Sequence, residues 1–121
     1  MAKIYNICAI FKATKYAING LCKGITTERA LAQEVILLAI LIPLSFWLGN
    51  SSIEIVLLNI PLFLLLITEL LNTALEKTID RISTQQHPLA GYAKDLAAAA
   101  VLVSLLLVCL VWVVLLLEKF S

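Results

Sequence analysis

Three apolar runs, separated by short polar breaks, set the pattern of this chain. The first, Val35 to Leu48, is interrupted only by Pro43 and Ser45 and falls short of the roughly 20 residues a bilayer span needs, so Leu31 to Glu34 must complete it. The second, Ile55 to about Ala74, reaches spanning length only if Glu69 and Asn72 belong to it. The third, Leu96 to Leu117, is about 22 residues without a charge. Spans are therefore expected at about 31–49, 54–75 and 96–117. Ahead of them, Ile4, Ile7, Cys8, Phe11 and Ile18 recur at helical intervals among Lys12, Lys15 and Asn19, which predicts an amphipathic surface helix over about 4–24. Gly20, Gly24 and Thr26-Thr27 then break the pattern, and Thr27 is placed to cap a helix starting at Glu28. Ser83 to Gly91, with Pro88 and Gly91, reads as a loop before the last helix.

Composition agrees with that pattern, because 62% hydrophobic residues exceed what a soluble core requires. The expectation is an all-α membrane protein, a single domain over 1–121 with three transmembrane helices and an amino-terminal surface helix. Lys3, Lys12, Lys15, Lys23 and Arg29 precede the first span, and Lys77, Arg81 and Lys94 lie between the second and third. The Gly49-Asn50-Ser51-Ser52 turn carries no basic residue, so the positive-inside bias places the amino terminus and the second connection in the cytoplasm. The first 30 residues hold no apolar core of the kind a cleaved signal peptide needs. Nucleic acid is not expected as a partner.

Candidate chemistry gathers at the end of the second run. Glu69, Asn72, Glu76 and Asp80 follow steps of three, four and four, which keep their side chains within an arc of roughly 80° on one helix face. A carboxylate in or near lipid is expensive and points to a metal, a cation or a proton as its partner. With a 1.5 Å rise, Glu69 lies about 22 Å from Glu54, near the inner acyl-headgroup boundary, while Glu76 and Asp80 lie roughly 10 and 16 Å further on. One face thus joins lipid to cytosol, so a lipid hydroxyl could sit beside Glu69 and a metal-bound polyphosphate beside Glu76 and Asp80. Phosphoryl transfer asks for positioning, charge neutralisation and a base. Glu69 suits the base, Asn72 can orient the hydroxyl, and Glu76 with a second acid such as Glu28 can hold Mg²⁺, which prefers carboxylate and phosphate oxygens. Lys94 would face phosphate, with Asp95 beside it.

The segment Glu69-Leu70-Leu71-Asn72-Thr73-Ala74-Leu75-Glu76-Lys77-Thr78-Ile79-Asp80 resembles the signature of the small bacterial membrane diacylglycerol kinases, whose relatives include undecaprenol kinases. Glu28, Gln33-Glu34, and His87-Pro88-Leu89 through Ala93-Lys94-Asp95 accompany it, so the resemblance runs from about Lys12 to the end of the third span. It implies a homotrimer in the bacterial inner membrane, with cytoplasmic active sites formed between subunits and MgATP phosphorylating a lipid alcohol, most simply diacylglycerol. It implies Glu69 as catalytic base and Glu28 and Glu76 as metal carboxylates. Tyr16, Gln85, Gln86, His87, Lys94 and Asp95 would surround the nucleotide, with Asn72 and Asp80 as supports. Lipid contacts would come from Ala13 to Ile18, from Ala30, Leu31 and Glu34, from Ala98, and from Trp47 and Trp112. Ala9, Ala17 and Ala98 depart from the diacylglycerol-using branch, which often carries Arg, Ser and Ser there. The Ala-rich stretch Asp95 to Ala100 resembles the undecaprenol-using branch, whereas Gln33-Glu34 resembles the other.

Plainer readings of the same residues stand beside these. The acid face could glue helices together, and Glu28 could simply favour a helix amino terminus. Lys94 and Asp95 could be a solvated pair, and His87 an exposed loop residue. Tyr16, Trp47 and Trp112 suit interface anchoring. Cys8, Cys22 and Cys109 show no metal spacing and read as small apolar residues. Rival functions are an oligomeric ion or proton carrier using Glu69, or a non-catalytic assembly subunit. A carrier would place its acid near the midplane and has no use for Glu76, Asp80, Lys94 and Asp95 in the cytoplasm. The absence of a G-x-x-x-x-G-K-[ST] loop does not exclude a kinase, since Mg²⁺, Lys94 and carboxylates can supply the electrostatics.

Overall fold

The computed structural model describes residues 2–82 and 87–121, with side chains from Asn6 onward. Four helices follow in order: α1 (Ala2–Thr27), α2 (Arg29–Leu48), α3 (Ser52–Ile82) and α4 (Pro88–Phe120). The last three are long and apolar enough to cross a membrane, at 20, 31 and 33 residues. The chain divides into two compact units, 1–36 and 37–121.

In the first unit, α1 runs unbroken through Gly20 and Gly24 to Thr27, further than the sequence pattern predicts. Thr27 does not cap the next helix. Its hydroxyl instead donates back to the Lys23 carbonyl at 2.7 Å, a bond that α-helical geometry offers any threonine. Glu28 alone separates α1 from α2. Its N–H donates to the Gly24 carbonyl at 2.8 Å and its carbonyl accepts from Ala32 N–H at 3.0 Å, so helical hydrogen bonding bridges the break. A Cβ at Gly24 would lie 2.6 Å from Leu31 Cδ2, so the glycine makes room for the buried Leu31.

The second unit is built on α3 packed against α4. Leu58, Leu62, Leu65 and Glu69 form the buried stripe of α3, spaced four, three and four. Ser104, Val108 and Trp112 form that of α4, spaced four and four. Trp112 Nε1 donates to the Leu58 carbonyl at 3.0 Å and joins the two stripes. The end of α2 joins them through Leu38 and Leu48 and through Asn59, whose amide donates to Ser45 Oγ at 2.7 Å. Lys119 at the far end of α4 donates to the Leu48 carbonyl at 2.7 Å, a cation on the negative end of α2. Pro43 and Pro61 lie inside α2 and α3, and both helices continue through them. Pro88 opens α4 at a position where its missing N–H costs nothing, so Gly91 is helical rather than part of a loop.

Candidate active site

All four residues of the acid face lie on α3, and their burial falls in their order along the helix. Glu69 is 5% exposed, Asn72 and Glu76 are half-buried, and Asp80 is exposed. The helix that carries them continues eight residues past Ala74, because Leu75, Ile79 and Ile82 preserve apolar spacing beyond the span. Asn72 Nδ2 donates to Glu76 Oε1 at 3.4 Å, and Asn72 Oδ1 is buried without a hydrogen-bond partner. Asp80 Oδ1 accepts from Lys94 Nζ at 2.6 Å, so the cation expected to face phosphate is held across α3 and α4 by the last acid of the face.

His87 is exposed and lies outside any helix, as its plainer reading expects, and it also has a structural role. It is the N-cap of α4, and its Nδ1 accepts from Leu89 N–H at 3.1 Å. Asp95 is exposed one residue beyond Lys94. Tyr16, Ala13, Ala30 and Ala98 are exposed, Trp47 is 77% exposed, and Glu28 and Glu34 are half-buried. Gln85 and Gln86 lie outside the described residues. Trp112 is 7% exposed because its ring fills the α3/α4 interface, and Leu31 is 1% exposed beneath Gly24.

Among the described residues no three His, Cys, Asp or Glu side chains come together to hold a metal by themselves. Mg²⁺ does not require such a cluster, since it retains waters and binds through one or two carboxylates and the phosphates of a nucleotide. The Glu76 carboxylate and the unpartnered Asn72 Oδ1 are hard oxygen donors of the kind such a cation takes. The apolar spacing of the third run does not single out Ser104, a buried hydroxyl in the α4 stripe. Its spacing of four and eight from Val108 and Trp112 is the signal that marks it.

Fold and site define an all-α, three-span membrane protein whose packed helix pair carries an acid face from the apolar interior to water. The model of the prokaryotic diacylglycerol kinases matches residues 15–116. Diacylglycerol kinase of Haemophilus influenzae is 41% identical over 112 residues, covering 93% of this chain and 95% of the relative. That of Escherichia coli K12 is 36% identical over 112 residues, covering 93% and 92%. That of Pseudomonas aeruginosa is 41% identical over 108 residues, covering 89% and 88%. The chain belongs to the prokaryotic diacylglycerol kinase family. It is accordingly a lipid kinase, a membrane-embedded phosphotransferase.

Proposed function

We propose that this kinase transfers the γ-phosphoryl group of MgATP to diacylglycerol, giving phosphatidic acid, at the inner face of a bacterial inner membrane. The observation that carries this reading is the burial gradient along α3, from the enclosed Glu69 to the solvent-facing Asp80. Glu69 serves as base: it takes the proton of the lipid alcohol as that oxygen bonds to phosphorus and the bond to the ADP oxygen breaks. Enclosure suits this task, because it keeps from the carboxylate the bulk water that would compete with the alcohol.

Glu76 and Glu28 would hold Mg²⁺, which would supply charge neutralisation on the phosphates. Asn72 steadies Glu76 through the amide bond already described. Lys94, oriented by Asp80, faces the phosphates, and Tyr16, Gln85, Gln86, His87 and Asp95 surround the nucleotide. Ala13, Ala30, Glu34, Trp47 and Ala98 face the lipid. Residues 1–121 act as a single catalytic domain, and three copies form a trimer with shared sites, the amino terminus and active sites being cytoplasmic.

Undecaprenol is the second reading for the acceptor, favoured by the run of alanines Ala97 to Ala100 beside Asp95. Both lipids present a primary alcohol at the interface. Purified protein incubated with MgATP and each lipid in turn decides between them: phosphatidic acid as the faster product supports the proposal, and undecaprenyl phosphate as the faster product replaces it. No phosphorylated product from either lipid would return Glu69 to the carrier reading.

A further inference from the structure

Glu69 and Ser104 are two of the three buried polar side chains among the described residues, at 5% and 4% exposure. The third, Ser45, is committed elsewhere, donating to the Ile42 carbonyl and accepting from Asn59. Glu69 belongs to the α3 stripe and Ser104 to the α4 stripe, and the Trp112–Leu58 hydrogen bond turns those stripes towards each other. Two contacts at opposite ends of the helix pair fix the axial register. Counted at 1.5 Å per residue from the Trp112–Leu58 bond, Ser104 falls about 4.5 Å to one side of the level of Glu69. Counted from the Lys94–Asp80 pair it falls about 1.5 Å to the other side. Both counts place Ser104 within one helical turn of Glu69 along the helix axes.

We infer that Ser104 is a positioning residue for Glu69: its hydroxyl donates a hydrogen bond across the α3/α4 interface and holds the carboxylate in the orientation that receives the lipid alcohol's proton. The inference rests on the reading of Glu69 as base and adds to it a residue on the partner helix. Ser104 Oγ donates to the Ala100 carbonyl at 3.0 Å, a bond inside its own helix. An α-helical carbonyl already accepts from the backbone N–H four residues on, so giving up this second bond costs little. An ionised carboxylate is the stronger acceptor. Rotation about χ1 of Ser104 therefore exchanges Ala100 for Glu69.

Once Glu69 has taken the alcohol's proton it becomes a donor. The Ser104 oxygen then accepts from it, and the serine O–H, keeping its proton, again donates its hydrogen bond to the Ala100 carbonyl. Ser104 neither gains nor loses a proton over the cycle. Its role is to offer the base a hydroxyl in both protonation states, inside a helix interface whose other members include Leu58, Leu62, Leu65, Val108 and Trp112.

The test compares the full chain with Ser104→Ala, Ser104→Thr and Glu69→Gln in lipid vesicles containing diacylglycerol, with MgATP as donor. Ser104→Ala is expected to lower kcat roughly ten- to a hundredfold, the range expected for one hydrogen bond to a charged group, with an unchanged KM for MgATP. Ser104→Thr, which keeps the hydroxyl, restores most of the rate. In infrared spectra the carboxyl stretching band that Glu69→Gln removes is expected to shift in Ser104→Ala and return in Ser104→Thr. Normal kcat with an unshifted band in Ser104→Ala overturns the inference, as does a loss that threonine does not repair. Inactive Glu69→Gln beside a normal Ser104→Ala removes the role of Ser104 alone, whereas active Glu69→Gln removes the base and with it the inference.

Discussion

Trp112 of α4 donates its indole N–H to the main-chain carbonyl of Leu58 on α3 at 3.0 Å, a bond between residues 54 positions apart. It is a polar contact beside Leu62, Leu65 and Val108, and it links the two helices at one level. Because Leu58 lies inside a helix, its carbonyl keeps a helical partner when the indole is removed. Trp112→Phe should therefore cost only about 1 kcal/mol, the net worth of one hydrogen bond, while Trp112→Ala should cost about 3–5 kcal/mol through the cavity it leaves. Unfolding midpoints in detergent check both values.

Lys94 and Asp80 meet at 2.6 Å but are 40% and 61% exposed, so water screens their attraction. Asp80→Asn should change stability by less than about 1 kcal/mol. Its effect is expected in the nucleotide instead, as a raised KM for MgATP with kcat largely kept, because Lys94 loses the partner that aims it. Steady-state kinetics separate the two parameters, and an unchanged KM would remove Asp80 from this role.

Glu69→Gln should abolish phosphoryl transfer in a folded protein, since an amide cannot accept the alcohol's proton. Circular dichroism and oligomer size, measured beside turnover, distinguish lost chemistry from lost folding. Near-normal turnover would refute the assignment.

Glu76→Gln should weaken the Mg²⁺ dependence and nucleotide binding together, because one carboxylate oxygen set is lost to the metal. Activity titrated against Mg²⁺ reads this directly. An unchanged titration would argue against ligation at this position.

Gly49 closes the turn between α2 and α3 where no side chain fits. A Cβ there would lie 2.5 Å from Ile55 Cγ1 and 3.1 Å from the Ser45 carbonyl oxygen, and the second of these belongs to the backbone. Gly49→Ala should destabilise by about 1–3 kcal/mol. Gly91, in α4, has nothing within 4 Å of such a Cβ, and Gly91→Ala should stabilise by up to about 1 kcal/mol through helix propensity. Thermal melts of the two variants should move in opposite directions.

Much of the fold was legible because its causes are local. The length of an apolar run and the absence of charge decide whether a helix can span, and α2, α3 and α4 contain the three runs with margins of a few to ten residues. The margins themselves were less legible. Leu75, Ile79 and Ile82 carry α3 past the end of its hydrophobic run, and Pro88 starts α4 eight residues before Leu96, in a segment whose Pro and Gly read as loop. Thr27 shows the same ambiguity at short range, since its hydroxyl can cap the next helix or bond back to its own, and the near-continuous helix through Glu28 selects the latter.

The chain's letters, taken alone, determined that Glu69, Asn72, Glu76 and Asp80 share a face, because helical period converts spacing into direction with no further information. They could not determine what that face meets. Packing decided that Glu69 is enclosed, that the Trp112 indole is buried and bonded to Leu58, and that Lys94 is held by Asp80. The physical reason is register: two antiparallel helices can slide past each other without altering either pattern. Contacts between residues far apart in sequence, such as Trp112 with Leu58 and Lys94 with Asp80, stop the slide.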